Sequence, residues 1–489
     1  MKGRYFKQVK KDPIAWKAVV LVGLLLMVSV VATLPAIQKT AYYSTKADPA
    51  ILASIKENKV IFATICYTGH LDAPGMVTME SWHFGNLTIA YVRMPPDTAK
   101  QVLKEKNLIR MYSWEKFKLP PYKFVVKDKG VTYNFSKDYK RIYHHANDIY
   151  TGKNITIAVI DTGVDYLHPD FFRNGHTVFK ALVSALYLVN GSCLTVNVSG
   201  YNYTQMENVY KFELKILKET NGQNYPFEDV IGHGTHVCGI IAGQGVASNG
   251  RYKGIATGAS LIMIKAFYDK SGYATQSSIL NALEWVYDNA QRYHIKILSC
   301  SWGYYPQTNL ETPTEMAMDK IVHDKHVMIF CAAGNELALP TTIISPARDP
   351  NVVAVGAVDP YTNKLAYFSS CGNPVIPPLS PPDKTKPDFV GAGVNIISCA
   401  SHLVSFPPDA VIKGNDGWNY VIMSGTSMAT PAVAATYACF IQYWEQTHHK
   451  MPDLHDFVEY TRKHGHVYDW IGKDFITGWG GPVVPSPSS

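Results

Sequence analysis

Five short runs of β-branched and aliphatic residues, at 155–161, 260–267, 296–301, 327–332 and 352–358, alternate with stretches of helical spacing between about residues 150 and 481. A run without polar alternation has to be buried on both faces, and a parallel sheet covered by helices on both sides provides that environment. Between the runs, Ile279, Leu283, Val286 and Ala290 recur on one helical face. Thr312-Pro313 supplies a cap and a first-turn proline for a second helix through Met316 to Val322. The pattern predicts an α/β fold with a mostly parallel central sheet and helices on both faces. In open sheets of this kind, sites gather at the carboxyl ends of strands. Asp161 and Asn335 fall at or just beyond such ends.

The segment Gly425-Thr426-Ser427-Met428-Ala429-Thr430-Pro431 puts a serine between a glycine-containing turn and a small-residue helix over 432–440. Unpaired backbone N–H groups and the helix dipole favour negative charge there, which suits a nucleophile whose attack creates an oxyanion. His233 lies in Gly232-His233-Gly234-Thr235-His236, and imidazole titrates near neutral pH, as a proton shuttle must. Asp161 lies in Val159-Ile160-Asp161-Thr162-Gly163, and Asn335 follows Ala332-Ala333-Gly334. Taken singly, each has a plain structural reading as a turn residue or a helix start. Together, in the order Asp, His, Asn, Ser, the four patterns resemble the subtilisin-like serine peptidases (subtilases).

The resemblance covers roughly residue 155 to the end. It implies that Ser427 is the nucleophile, His233 the general base and Asp161 the group that orients the imidazole. Asn335 would donate its side-chain amide to the oxyanion beside the backbone N–H of Ser427. The family motif makes His236 a structural neighbour. Ser301, Trp302 and Gly303 would pair with an extended substrate as an added strand does. Ala332, Ala333 and Gly334 would wall the primary specificity pocket. Thr341-Thr342-Ile343-Ile344-Ser345-Pro346 occupies the region of its floor, where a branched residue narrows the pocket towards small side chains. Glu336 at the rim offers the opposite expectation, a basic side chain. The resemblance requires no cofactor and allows structural calcium. Asp165 and Asp170 lie near the right place for it, but no dense Asp/Asn loop occurs, so no metal is assigned to the site residues.

Two departures from the family pattern stand out. Asp161 and His233 are farther apart than in compact members, which places an insertion over about 176–228. Three of six Asn-x-Ser/Thr sequons crowd into 190–204, a polar stretch that reads as an exposed loop. Val390-Gly391-Ala392-Gly393 also replaces the usual Ala-Pro-Gly turn, which changes a loop and leaves the chemistry intact.

Ahead of this domain, residues 59–120 read as a small α+β unit. Strands are expected over 59–67 and 87–94, a helix capped by Asp97 and running to about Lys106, and a last strand over 108–118. Its position is similar to that of the subtilase propeptide, which implies an intramolecular inhibitor. A structural domain that is never removed is the alternative. Residues 1–17 form a basic flank and 18–37 an uncharged apolar run. The run is either a membrane anchor or a cleaved signal peptide, its length favouring the anchor, and both place the remainder outside the cytoplasm. Residues 482–489 read as a disordered tail.

The net charge of +7 is small for 489 residues and is partly carried by the basic flank. No basic stripe with interleaved aromatics appears, which argues against a nucleic-acid partner. The cysteines lack the paired spacing of a zinc site and do not read as a disulfide framework. The expected partners are therefore protein or peptide substrates, the chain's own propeptide, and a membrane through residues 18–37 if they stay attached. The expected activity is that of an exported serine endopeptidase. A peptidase restricted to short peptides and a non-catalytic, membrane-tethered binding protein retaining the fold are the alternatives.

Overall fold

The computed structural model of the chain describes residues 46–114, 116–127, 131–306, 311–373, 385–468 and 473–486. The apolar run over 18–37 and the last three residues of the tail lie outside them. Among the described residues no helix is long and apolar enough to cross a membrane. The chain divides into two compact units, and the first contains Asn86–Trp114 and the described residues before Trp82.

The first unit opens with helix α1 (Pro49–Lys56), followed by strands β1 (Ile61–Thr68), β2 (Val77–Phe84) and β3 (Leu87–Met94), helix α2 (Pro96–Val102) and strand β4 (Leu108–Tyr112). The sheet order is β2-β3-β1-β4, with β1 antiparallel to both β3 and β4. Ala63, Ile65, Ala90 and Val92 turn one face towards Ile51 of α1 and Ala99 and Val102 of α2. Strand β2 escaped the sequence reading because its first five residues are all exposed, so no alternation marks it. The second helix begins earlier than expected. Pro95 is its N-cap and Pro96 takes the first helical position, leaving Asp97 inside the first turn. It also stops at Val102, short of Lys106. The single strand expected over 108–118 is two strands. Only β4 belongs to this sheet, and residues 116–120 lie in the second unit.

The second unit carries β5 (Lys116–Lys118), helix α3 (Tyr139–Tyr143), β6 (Thr156–Asp161), the short hairpin β7 (Phe172–Arg173) and β8 (His176–Thr177), then β9 (Phe179–Val189), β10 (Ser192–Asn197) and α4 (Tyr203–Glu219). There follow α5 (His233–Ala242), β11 (Ser260–Lys265), β12 (Tyr273–Thr275), α6 (Gln276–Tyr293), β13 (Ile295–Cys300), α7 (Pro313–Lys325), β14 (Met328–Ala332), β15 (Val353–Asp359), β16 (Lys364–Leu365), β17 (Phe389–Ala392), β18 (Ile396–Cys399), β19 (Val411–Lys413), β20 (Asn419–Met423), α8 (Thr426–His448) and α9 (Leu454–His464). A nine-stranded sheet runs β10-β9-β11-β6-β13-β14-β15-β16, with β17 also paired to β15. Its central pairs are parallel, and only β10 and β16 join antiparallel. The five buried runs of the sequence are the strands β6, β11, β13, β14 and β15, every residue of β6 and β15 being buried. Helix α6 buries Ile279, Leu283, Val286 and Ala290. Helix α7 starts at the Thr312 capping box, Glu315 closing it from the third position.

The sequon-rich stretch is not the open loop that its composition suggested. Asn190 turns a hairpin at φ 52°, residues 192–197 add an edge strand to β9, and Asn202 caps α4 by accepting from the Gln205 N–H. All eight cysteines are free thiols, seven of them buried.

Candidate active site

Asp161 is the last residue of β6, and α5 begins at His233. Both side chains are fully buried. Nδ1 of His233 lies 2.8 Å from Oδ1 of Asp161. A carboxylate accepts there, so Nδ1 carries the proton and Nε2 is left as an acceptor. Nε2 is buried and has no hydrogen-bond partner among the described residues. The approach of the two loops depends on Gly234, whose N–H donates to Thr162 Oγ1 at 2.9 Å. A Cβ at this position would meet the Gly163 carbonyl oxygen at 2.1 Å and Asp161 Cβ at 3.2 Å.

His236, one helical turn on, has a different environment. Its Nε2 lies 3.0 Å from the carbonyl oxygens of both Ile396 and Val421. Burial depresses its pKa to about 3, so it stays neutral and holds β18 and β20 against α5. Asp229 ties the loop before the helix. Its carboxylate accepts from the N–H groups of Ile231, Gly232 and Thr235 and from the hydroxyls of Thr162 and Thr235. Burial and the charges of Asp165 and Glu213 push neighbouring Glu228 well above the usual carboxylate range.

Ser427 lies in the first turn of α8, behind Gly425. Its Oγ donates to the Ser301 carbonyl at 3.1 Å, and the Ser301 hydroxyl returns a bond to the Ser427 carbonyl at 2.9 Å. No hydrogen bond joins this Oγ to Nε2 of His233, which has no partner among the described residues. Asn335 lies beyond the end of β14. Its Oδ1 accepts from both the N–H and the hydroxyl of Thr426, each at 2.8 Å. That pairing fixes the amide orientation and turns Nδ2 outward, where it donates to the Pro121 carbonyl at 2.9 Å. Thr426 was not singled out from the sequence, although it sits inside the motif. Its role becomes visible only when Asn335, 91 residues away, folds against it.

A strand of the chain itself lies along this site. Lys118 exchanges two backbone hydrogen bonds with Gly303, at 3.2 and 3.1 Å, and β5 pairs antiparallel with β12. Phe117 is buried between Trp302 and Tyr304, with ring centroids 5.6 and 4.6 Å away. Beyond Pro121, the Tyr122 ring stands 5.2 Å from His233. Burial and the charges of Asp229 and Asp161 push the Tyr122 hydroxyl up to about 12. Lys123 then exchanges two backbone bonds with Ser424, at 2.8 and 2.6 Å. Of the residues expected to meet substrate, Gly303 pairs through its backbone with Lys118 of the chain itself. Trp302 is a core residue whose indole N–H donates to the Ile160 carbonyl. Ala332 and Ala333 are buried, and Ala333 bonds to Val355 and Ile344 through its backbone.

Lys118 and Pro120 of this strand line a small pocket of about 10 Å³ together with Gly303, Tyr304, Tyr305, Gly334, Asn335, Glu336 and Ile344. Ile344 packs closely against both glycines of this lining. A Cβ on Gly303 would come within 2.6 Å of Ile344 Cδ1, and one on Gly334 within 3.0 Å of Ile344 Cγ2.

Of the aspartates considered for calcium, Asp170 has both carboxylate oxygens committed to donors and Asp165 has one, its Oδ1 being buried without a hydrogen-bond partner among the described residues. The Asp170 carboxylate accepts from the N–H groups of Gly245 and Ala247 and from the Tyr420 hydroxyl. Asp165 Oδ2 accepts from the His402 backbone and ring nitrogens. Oxygens already committed to N–H and O–H donors are poorly placed to ligate a cation.

Residues 152–480 match the profile described as the Subtilase family. Serine protease AprX of Bacillus subtilis (strain 168) is 32% identical over 311 residues, covering 60% of this chain and 58% of that protein. Subtilisin E of the same organism is 30% identical over 298 residues, covering 60% and 56%. The chain thus spans little more than half the length of these relatives. Among solved structures, fervidolysin from Fervidobacterium pennivorans, a keratinolytic enzyme related to subtilisin, has a similar fold. Its TM-score is 0.59 at 20% identity, over 87% of this chain and 60% of that one. Sphericase gives 0.50 at 25% identity, over 71% and 97%.

Proposed function

The chain belongs to the subtilase family, and on that premise we propose that it is a serine endopeptidase with Ser427 as nucleophile, His233 as base and Asp161 as the orienting carboxylate. The observation that carries the reading is the Asp161–His233 contact of 2.8 Å, which leaves Nε2 without a hydrogen-bond partner among the described residues. In this mechanism Ser427 leaves the Ser301 carbonyl and gives its proton to Nε2 as it attacks. The substrate carbonyl becomes a tetrahedral oxyanion that the Asn335 Nδ2–H and the Ser427 backbone N–H stabilise. His233 returns the proton to the leaving amine, Asp161 stabilises the imidazolium, and water then releases the acyl group by the same route. No step calls for a cofactor.

Substrates are extended protein or peptide chains that pair with Gly303 on one side of the cut and Ser424 on the other. The branched Ile344 in the pocket lining supports the narrow-pocket reading and a preference for small side chains before the cut. The first unit would serve as the propeptide. The apolar run over 18–37 would carry the remainder out of the cytoplasm, to be anchored or secreted.

Labelling with a fluorophosphonate probe tests the chemistry. The wild-type chain should label at one residue and Ser427→Ala should stay dark. Equal labelling of the two would remove Ser427 from the nucleophile's role.

A further inference from the structure

Residues 123–126 run past the nucleophile's turn, and the second unit grips them at three successive points. Lys123 exchanges its two backbone hydrogen bonds with Ser424. The Ser424 hydroxyl donates to the Phe124 carbonyl at 3.3 Å. Asn395, 2% exposed, turns its whole amide on the backbone of Val126. Its Oδ1 accepts from the Val126 N–H and its Nδ2 donates to the Val126 carbonyl, both at 2.8 Å. Val126 itself is buried in the core of this unit. Side chains add to the grip. The Phe124 ring stands edge-on to Phe406 at 6.1 Å, and Phe406 lies against Gly232, the residue before His233. The Lys123 ammonium lies 4.8 Å from the centre of the Tyr367 ring.

Every one of these contacts is made by a residue after Tyr122. Removal of the first unit by hydrolysis between Lys118 and Tyr122 therefore leaves them all in place. It also leaves the Ser424 edge, to which the part of a substrate beyond its cut would pair, already taken.

We propose that residues 123–126 form an autoinhibitory arm that stays in the cleft after the first unit is cut away. The proposal rests on the peptidase reading of Ser427 and adds a regulation of the same site. The arm is a competitor on a short tether. Its root, Val126, is three residues beyond Lys123, and a group so tethered acts as though present at about millimolar concentration. A substrate that continues well past its cut has to displace the arm from Ser424. A substrate that ends in a small leaving group does not reach it. The arm thus selects against partly bound or weakly pairing chains and admits those that pair well on both sides of the cut.

The test uses the full chain after self-processing, as wild type, Asn395→Gly and Phe124→Ala, with N-terminal sequencing of each. Asn395 stands at φ 52°, which glycine adopts without strain, so Asn395→Gly removes the clamp and keeps the backbone. Two substrates share one sequence before the cut. One is a peptide methyl ester, and the other continues for five residues beyond the cut. On the longer peptide Asn395→Gly should gain at least about tenfold in kcat/KM, through KM, the scale of losing two buried hydrogen bonds. Phe124→Ala should gain less, in the same direction. On the ester the three proteins should be alike. Gains not confined to the longer peptide, or no gain at all, overturn the arm. A loss on the longer peptide overturns it too, since Asn395 would then serve the substrate and not the chain's own strand. So does a new N-terminus beyond Val126, or a chain that labels with fluorophosphonate and never processes itself. Absence of labelling in all three overturns the peptidase reading and the arm with it.

Discussion

Helices α5 and α8 both present their N-termini to the same cleft, and they satisfy their leading amides in opposite ways. Helix α5 is served by a carboxylate close in sequence, Asp229, which takes five donors including the N–H of Thr235. Its N-cap, Gly232, stands at φ 89°, where a Cβ would also strike Phe406 at 2.5 Å. Helix α8 is served from 91 residues away by a neutral amide, Asn335, which takes only the Thr426 N–H and hydroxyl. A carboxylate at a helix N-terminus stabilises the helix and cancels its attraction for further anions. A neutral amide leaves that attraction available. Under the proposed mechanism, α5 would hold His233 still and α8 would receive a negative charge that exists only during reaction.

The contrast breaks most visibly at Asn335. Asn335→Ala should lower kcat by about 10²–10³ with little change in KM, the size of loss known for an oxyanion-hole donor in subtilisin. Steady-state kinetics on a peptide that fits the pocket would measure it. A loss confined to KM would mean that Asn335 only grips the ground-state carbonyl, and α8 would lose its special standing.

At α5 the expected effect is smaller and falls on stability. Asp229→Asn replaces an all-acceptor group with one that must point an NH₂ at existing donors. With several charge-assisted bonds at stake, unfolding should become easier by about 3 kcal/mol. Urea denaturation checks this, and labelling of the folded fraction should persist. A stable variant with dead chemistry would show that Asp229 acts on the site directly and not through the helix.

How much of this was legible in the sequence follows from the range of each interaction. The five sheet strands could be read because burial on both faces forces a run of apolar residues that needs no partner to be seen. Asp161 and His233 could be read because each sits in a tight local pattern, glycines included, that the loop geometry demands. The Lys-Phe-Lys strand β5 could not, since three residues carry no periodicity and their partners Tyr273–Thr275 are remote. The edge strand β10 was hidden by its polar, half-exposed composition. The capping of α8 by Asn335 was equally hidden, because a helix start is sought in the residues just before it.

The smallest expected effect separates the two histidines of α5. His236 is neutral in the folded chain down to about pH 3 because of burial, whereas in the unfolded chain it takes a proton near 6.5. Unfolding therefore takes up a proton between these values, so stability falls as pH drops through that window and is unaffected above it. Each unit below 6.5 costs about 1.4 kcal/mol from this residue. His144, likewise depressed to about 3 by burial, adds a second such slope. His236→Gln keeps a donor for the Ile396 and Val421 carbonyls and cannot titrate. It should cost some stability at pH 7 and then close the gap to wild type by about 1.4 kcal/mol per unit between pH 6 and 4. Urea midpoints across that range decide it. Parallel curves would mean that His236 is hydrated or already charged in the fold, and the assignment of one histidine to chemistry and the other to packing would lose its physical basis.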